Sequence, residues 1–400
     1  MRRFAREYRD FFRLPDVAAL MAVALAARMP IGMVGLSMLM FLRESLGSYA
    51  LAGAASGVYF VAMAVGAPVQ GRLIDRRGPK DVLVATGIVS PLALLAVLLL
   101  GRAGTGFVAV AAAAAVAGLF ATPITVLTRT VWRRRFKDEA GRLRAFAVDA
   151  VLIEINFTLG PALIALVLAR WNPTAAFAIA IVTVIVAFLL FVASPALRYF
   201  GPEPPAERHL LGPLRESRLL LVFVATFGLT TAFGLLEVGY PGYATSLAMP
   251  ALGGVLLSVN SFGSALGGAL FGGLALKAPV ERQFAATMGL MSVPLALHGL
   301  VDGPWAFAAA AFLAGAAIAP TIASQSVLVS RLAPSHYATE AFTWSSTFIV
   351  SGLGAGMAVG GWLTEQVGAK APFLAGAACV LAMAALALRL PAGHAPPPAP

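Results

Sequence analysis

The chain has 400 residues, of which 60% are hydrophobic and only 12% charged, and its mean hydropathy is +0.86. Soluble domains carry about 25% charged residues, so the composition excludes an ordinary soluble enzyme or binding domain and predicts a polytopic membrane protein. The net charge of +11 does not point to nucleic acid, because the cations sit in short segments between apolar runs.

Residues 1–16 form a basic, aromatic segment suited to the surface of an anionic leaflet. The first apolar run follows a basic stretch, as a signal peptide would, but it continues for about 25 residues and is long enough to span. Twelve spans are predicted, near 17–42, 49–69, 81–101, 107–129, 145–169, 174–194, 219–245, 249–275, 284–301, 305–328, 340–363 and 371–391. Between the second and third, Gly71-Arg72-Leu73-Ile74-Asp75-Arg76-Arg77-Gly78-Pro79-Lys80 reads as a charged turn bounded by glycine. Residues 195–218, rich in proline and in charges of both signs, read as a linker between a first half (17–194) and a second (219–391). Residues 392–400 read as a disordered, proline-rich tail. The lone Cys379 precludes an intrachain disulfide.

If the N-terminus is inside, 24 of the 29 Lys and Arg residues fall in inner segments and four in outer loops, with Arg28 inside a span. That bias orients the chain, and an even number of spans places both termini in the cytoplasm. The two halves look like copies. Gly66 and Gly71 match Gly267 and Gly272 at an offset of 201, and Gly118 and Pro123 match Gly315 and Pro320 at 197. The expected fold is therefore all-α, with twelve transmembrane helices in two parallel six-helix repeats.

Ionisable groups inside the bilayer are costly, and each is a functional candidate. Arg28 and Glu154 fall near mid-membrane in the first half, where they make either a structural ion pair or a substrate or proton pathway. Asp149 is read as solvated near the inner surface. Glu237 shares a helical face with Thr226 and Thr230 and is a candidate proton carrier. Asn260 and Gln325 are added because an amide among apolar helices needs a partner. Glycines four apart, as at Gly53/Gly57 and Gly352/Gly356/Gly360, predict close helix packing. Motifs of hydrolases, metalloenzymes and nucleotide-binding proteins are missing from the sequence, so no catalytic residue, metal or cofactor is expected.

The G-x-L-x-D-R-x-G-x-K pattern of Gly71 to Lys80 resembles the loop between the second and third helices of the major facilitator superfamily. The resemblance implies a gating role for Gly71, Asp75, Arg76 and Gly78, packed against the eleventh helix in the outward-facing state. It also implies cavity helices bearing Arg28, Glu154 and Glu237. The fourth helix lacks the buried arginine common in proton-driven exporters of that family until Arg129, while Gly160-Pro161 keeps part of their fifth-helix pattern. The expected function is secondary active transport of a small molecule across the cell membrane by a monomer, with export and proton coupling favoured. Uptake of a sugar or metabolite, and a receptor without transport, remain open alternatives.

Overall fold

A computed structural model describes residues 12, 14, 16–136, 139–200, 213–273, 278–333 and 338–391. The basic segment before Asp16 (Phe12 and Leu14 apart), most of the central linker and the proline-rich tail lie outside the described residues. Among the described residues the chain is helical and has no strand. The helices are α1 (Val17–Leu46), α2 (Tyr49–Arg77), α3 (Pro79–Arg102), α4 (Phe107–Leu119), α5 (Ile124–Arg135), α6 (Glu139–Arg170) and α7 (Pro173–Ala193). They continue with α8 (Ser217–Ser246), α9 (Pro250–Gly273), α10 (Val280–Leu297), α11 (Pro304–Ala316), α12 (Ile318–Leu332), α13 (Ala338–Gln366) and α14 (Ala371–Ala387). Nine segments among the described residues are long and apolar enough to cross a membrane, counting α11 and α12 as one.

Local chemistry sets the helix ends. Pro79, Pro173 and Pro304 start their helices, where a missing N–H costs nothing. Ser48 and Asn172 cap α2 and α7 by accepting from Leu51 N and Ala175 N. The fourth rod breaks at Phe120–Pro123, where Pro123 cannot donate to the preceding turn.

The charged stretch from Gly71 differs from the expected turn. Helix α2 continues to Arg77, and the chain reverses at Gly78 alone, with φ 84° and ψ 171°. Only glycine adopts that conformation without strain, and Pro79 opens the next helix at once. Gly71 is therefore a helical residue, and nothing lies within 4 Å of a Cβ built on it or on Gly78. The side chains of Asp75 and Arg76 lie outside the described residues. Likewise α5 runs on to Arg135, so most of the stretch read as an inner loop after residue 129 is helix.

The repeat suspected from glycine offsets recurs as geometry. A Cβ on Gly66 would lie 2.3 Å from Leu119 O, and one on Gly118 would lie 2.0 Å from Tyr59 O, locking α2 to α4. The equivalent Gly267 and Gly315 would meet Ala316 O at 1.9 Å and Asn260 O at 1.8 Å, locking α9 to α11. Helices α1–α7 and α8–α14 then meet along two seams, α2 against α13 and α6 against α9. The first seam is a glycine contact: Cβ atoms on Gly53 and Gly57 would stand 2.4 Å from Met357 O and 2.5 Å from Gly354 O. Small residues let the backbones touch there.

These cross-contacts concentrate at one end of the molecule. Tyr49 Oη bonds Thr245 Oγ1 at 2.7 Å and donates to Pro241 O at 3.1 Å. Glu365, at the far end of α13, accepts from Ala50 N at 2.9 Å and from Ser48 Oγ. Toward the other end Val65 and Val69 of α2 and Phe342 of α13 are exposed. The described hydrogen bonds between the two helix groups thus lie at the Ser48 end.

Candidate functional site

Arg28 and Asp149 form the most buried charged pair among the described residues. Arg28 Nη1 donates to Asp149 Oδ1 at 2.7 Å and Nη2 to Oδ2 at 3.1 Å, with the two side chains 1% and 2% exposed. Nη2 also donates to Thr128 Oγ1, and Trp132 Nε1 donates to Asp149 Oδ1 at 3.0 Å. Arg129 reaches Asp149 Oδ2 at 3.6 Å while its side chain stays 56% exposed. One carboxylate thus ties α1, α5 and α6 together.

Of the two readings left open for Arg28 and Glu154, an ion pair between them does not form, because Arg28 pairs with Asp149. Helices α1 and α6 cross where Gly32 meets Asn156 O and Gly160, which sets their register. A helical side chain leans toward its own N-terminus, so Arg28 reaches down to Asp149 rather than across to Glu154. The same pair corrects the reading of Asp149 as solvated, since the residue is buried. Thr128 and Trp132 escaped the sequence reading, and Arg129 was noted only as the first arginine of the fourth helix, because they were assigned to the end of a span and a loop. Their signal was present: Thr128 and Trp132 are four apart and share a helical face with the buried Leu127 and Val131.

Glu154 points elsewhere. It is half-buried and approaches Ser264 on α9, across the seam. Ser264 Oγ is buried with no hydrogen bond of ordinary geometry. Glu237 on α8 is also half-buried, and its Oε2 would lie 3.9 Å from a Cβ on Gly35 of α1, beside Phe60 of α2. Among the described residues Glu237 has neither a hydrogen bond nor an ion pair.

The polar stripe expected along α8 is not continuous. Thr226 and Thr230 are buried and donate back to Val222 O and Thr226 O at 2.7 and 3.0 Å. Thr230 packs under Gly352 of α13, whereas Glu237 approaches Gly35 of α1. Asn260 donates through Nδ2 to Ala311 O at 2.9 Å and is buried between α9 and α11. Gln325 donates to Ser345 Oγ at 2.8 Å, joining α12 to α13. The sequence candidates therefore separate into a buried brace (Arg28), two interhelical amides (Asn260, Gln325) and two carboxylates near the meeting line of the helix groups (Glu154, Glu237). No group of three His, Cys, Asp or Glu side chains arranged to hold a metal occurs among the described residues.

A profile of the Major Facilitator Superfamily matches residues 20–296 and again 222–400. The chain belongs to the Major Facilitator Superfamily. It is an integral membrane protein with the fold of transporters. Multidrug resistance protein MdtG of Dickeya zeae (strain Ech586) is 24% identical over 349 residues, covering 82% of this chain and 81% of that protein. Among solved structures, a peptide transporter POT in complex with sulfate superposes with a TM-score of 0.73 at 14% identity, covering 94% of this chain and 95% of that one. A POT family transporter in complex with 5-aminolevulinic acid gives 0.70 at 11% identity, over 93% and 95%. These superpositions establish a common fold.

Proposed function

We propose that the protein is a secondary active exporter of small amphipathic molecules in the cytoplasmic membrane, driven by protons. The MdtG relative supports export. The observation that carries the coupling is Glu237, a half-buried carboxylate on α8 with no hydrogen bond or ion pair among the described residues, near Gly35 of α1 on the line where the two helix groups must part. A carboxylate kept out of water takes up and releases a proton as its surroundings open and close. Glu154, facing Ser264 across the second seam, is a candidate for the same duty.

The twelve-span reading takes α4–α5 and α11–α12 each as one broken rod, with six rods in each half. The charge bias of the loops puts both termini inside. With that sidedness the Gly78 end faces the cytoplasm, and the hydrogen bonds joining the helix groups at the Ser48 end support an inward-facing reading. Gly71, Asp75, Arg76 and Gly78 then belong to the open inner gate, which engages α13 only when the inside closes. A monomer suffices for this cycle, because both seams lie within one chain.

The test is transport by protein reconstituted in liposomes, with a panel of amphipathic dyes and an imposed proton gradient. Gradient-driven movement is expected for the wild type. Glu237→Gln is expected to abolish it while leaving substrate exchange without a gradient. Transport indifferent to every imposed gradient would overturn the coupling, and unchanged driven transport in the variant would remove Glu237 from it.

A further inference from the structure

The seam between α6 and α9 carries a groove on its outer wall. A cavity of about 540 Å³ runs between the two helices, from Thr158 and Phe262 at one end to Ala169 and Ala251 at the other. Leu166 of α6 and Val255 and Phe262 of α9 line it and are exposed, so it opens sideways, away from the bundle. Behind it the helices touch. A Cβ on Gly254 would lie 2.6 Å from Pro161 O and 2.8 Å from Ala165 Cβ, beside Leu36 of α1. The two hydroxyls in the lining are spent on their own helices: Thr158 Oγ1 donates to Glu154 O and Ser258 Oγ to Gly254 O, both at 2.9 Å. The surface left to an occupant is hydrocarbon.

The length of the groove is informative. Thr158 and Ala169 are eleven residues apart, as are Ala251 and Phe262, which is about 16 Å of helix at 1.5 Å per residue. Half of a hydrocarbon core of roughly 30 Å is about 15 Å, so the groove is as long as one leaflet is deep. Its volume over that length gives a mean cross-section of roughly 33 Å², one extended chain wide. Arg170 follows Ala169 as the last residue of α6 and is exposed. Its side chain has no hydrogen bond or ion pair among the described residues. Trp171 beside it is exposed as well, as aromatic side chains at headgroup level are. A cation thus stands where the groove reaches the membrane surface.

We propose that this groove holds one acyl chain of a phospholipid from the leaflet at the Ser48 end, with the lipid phosphate on Arg170. The site goes beyond the transport reading, because it requires no substrate to move; only the naming of that leaflet as the outer one rests on the sidedness given above. Lipid tails outside are as apolar as the groove, so burial alone selects nothing. Selection comes from close packing along the groove together with the charge contact at its mouth. A free phosphate or a bare hydrocarbon meets only half of the site. Since α6 and α9 belong to different helix groups, the bound chain lies across the seam between them.

Native mass spectrometry of the full chain released from detergent reads the bound lipid directly. The probes are dioleoyl phosphatidylglycerol, dioleoylglycerol (the same chains without phosphate) and glycerol phosphate (no chains). One phosphatidylglycerol per chain is expected to survive detergent removal, dioleoylglycerol to bind about fivefold more weakly, and glycerol phosphate not to bind. Arg170→Gln should lower affinity for phosphatidylglycerol to that of dioleoylglycerol. Ala162→Phe should fill the groove and abolish retention of both lipids. Ala169→Phe, at an exposed position, repeats that test, and thermal unfolding checks that the variants are folded. A wild type that retains no lipid overturns the proposal. So does retention unchanged in folded Ala162→Phe and Ala169→Phe, which would place the lipid elsewhere on the bundle. Dioleoylglycerol bound as tightly as phosphatidylglycerol overturns the assignment to a phospholipid. A dye that displaces the lipid and is itself carried would make the groove part of the substrate path and overturn a resident lipid.

Discussion

Arg28 meets Asp149 end-on with two hydrogen bonds, at a point where α1, α5 and α6 converge and water does not reach. Removing one partner of a buried pair strands the other charge, at a cost of about 3–5 kcal/mol. Asp149→Asn and Arg28→Met are therefore expected to lower thermal stability in detergent and the yield of folded protein. Arg28→Met combined with Asp149→Leu should recover most of the loss, because no buried charge is left unpaired and the exposed Arg129 stays solvated. A double variant less stable than both single ones would contradict this account.

The closed end offers a second prediction. Glu365 of α13 accepts from Ala50 N and Ser48 Oγ, so its carboxylate caps α2 from the opposite helix group. A cap of this kind is worth roughly 0.5–2 kcal/mol, and here it is present only while that end is shut. Glu365→Ala should raise the population open at that end several-fold, since one or two kcal/mol is a factor of about 5–30. With Cys379 replaced by Ser, a single cysteine at Thr245 reports the change through faster labelling by a membrane-impermeant thiol reagent. Equal labelling rates with and without Glu365 would show that the cap does not hold the gate.

Much of this architecture was legible in the sequence because membrane helices obey coarse rules. Spans announce themselves by length, and Gly66/Gly267 and Gly118/Gly315 marked real backbone contacts because glycine is the one residue that fits them. The partner of Arg28 was not legible. Asp149 and Glu154 are five residues apart on one helix, and choosing between them needs the register of α1 on α6, which the Gly32–Gly160 crossing sets. The stretch from Gly71 misled for another reason. Its charges resemble a loop, yet charged residues continue a helix readily once it leaves the hydrocarbon, and only Gly78 breaks it.

The same glycines yield a third prediction. A Cβ on Gly57 would come within 2.5 Å of Gly354 O, and backbone cannot yield as a flexible side chain does. Gly57→Leu should hold α2 and α13 apart at the closed end and leave the folding of each helix group intact. The expected result is a protein of near-normal thermal stability that binds substrate but fails to complete exchange. A variant that transports at the wild-type rate would show that the seam opens there without cost.

Asn260 and Glu237 separate a structural polar group from a working one. Asn260 spends its amide donor on Ala311 O, holding α9 to α11 within one helix group. Interhelical hydrogen bonds of this sort are worth about 0.6–2 kcal/mol, so Asn260→Leu should cost stability of that order. It should leave transport per folded molecule close to wild type, because the bond does not cross the seam. Glu237 has no bond to lose among the described residues. Its replacement by Gln should therefore leave stability unchanged or slightly raised, because the cost of holding a charge away from water is removed. Driven transport should fall by at least tenfold. Thermal unfolding and gradient-driven flux measured on the same two preparations decide the matter. If Asn260→Leu abolishes flux in fully folded protein, Asn260 belongs to the pathway rather than to the packing of α9.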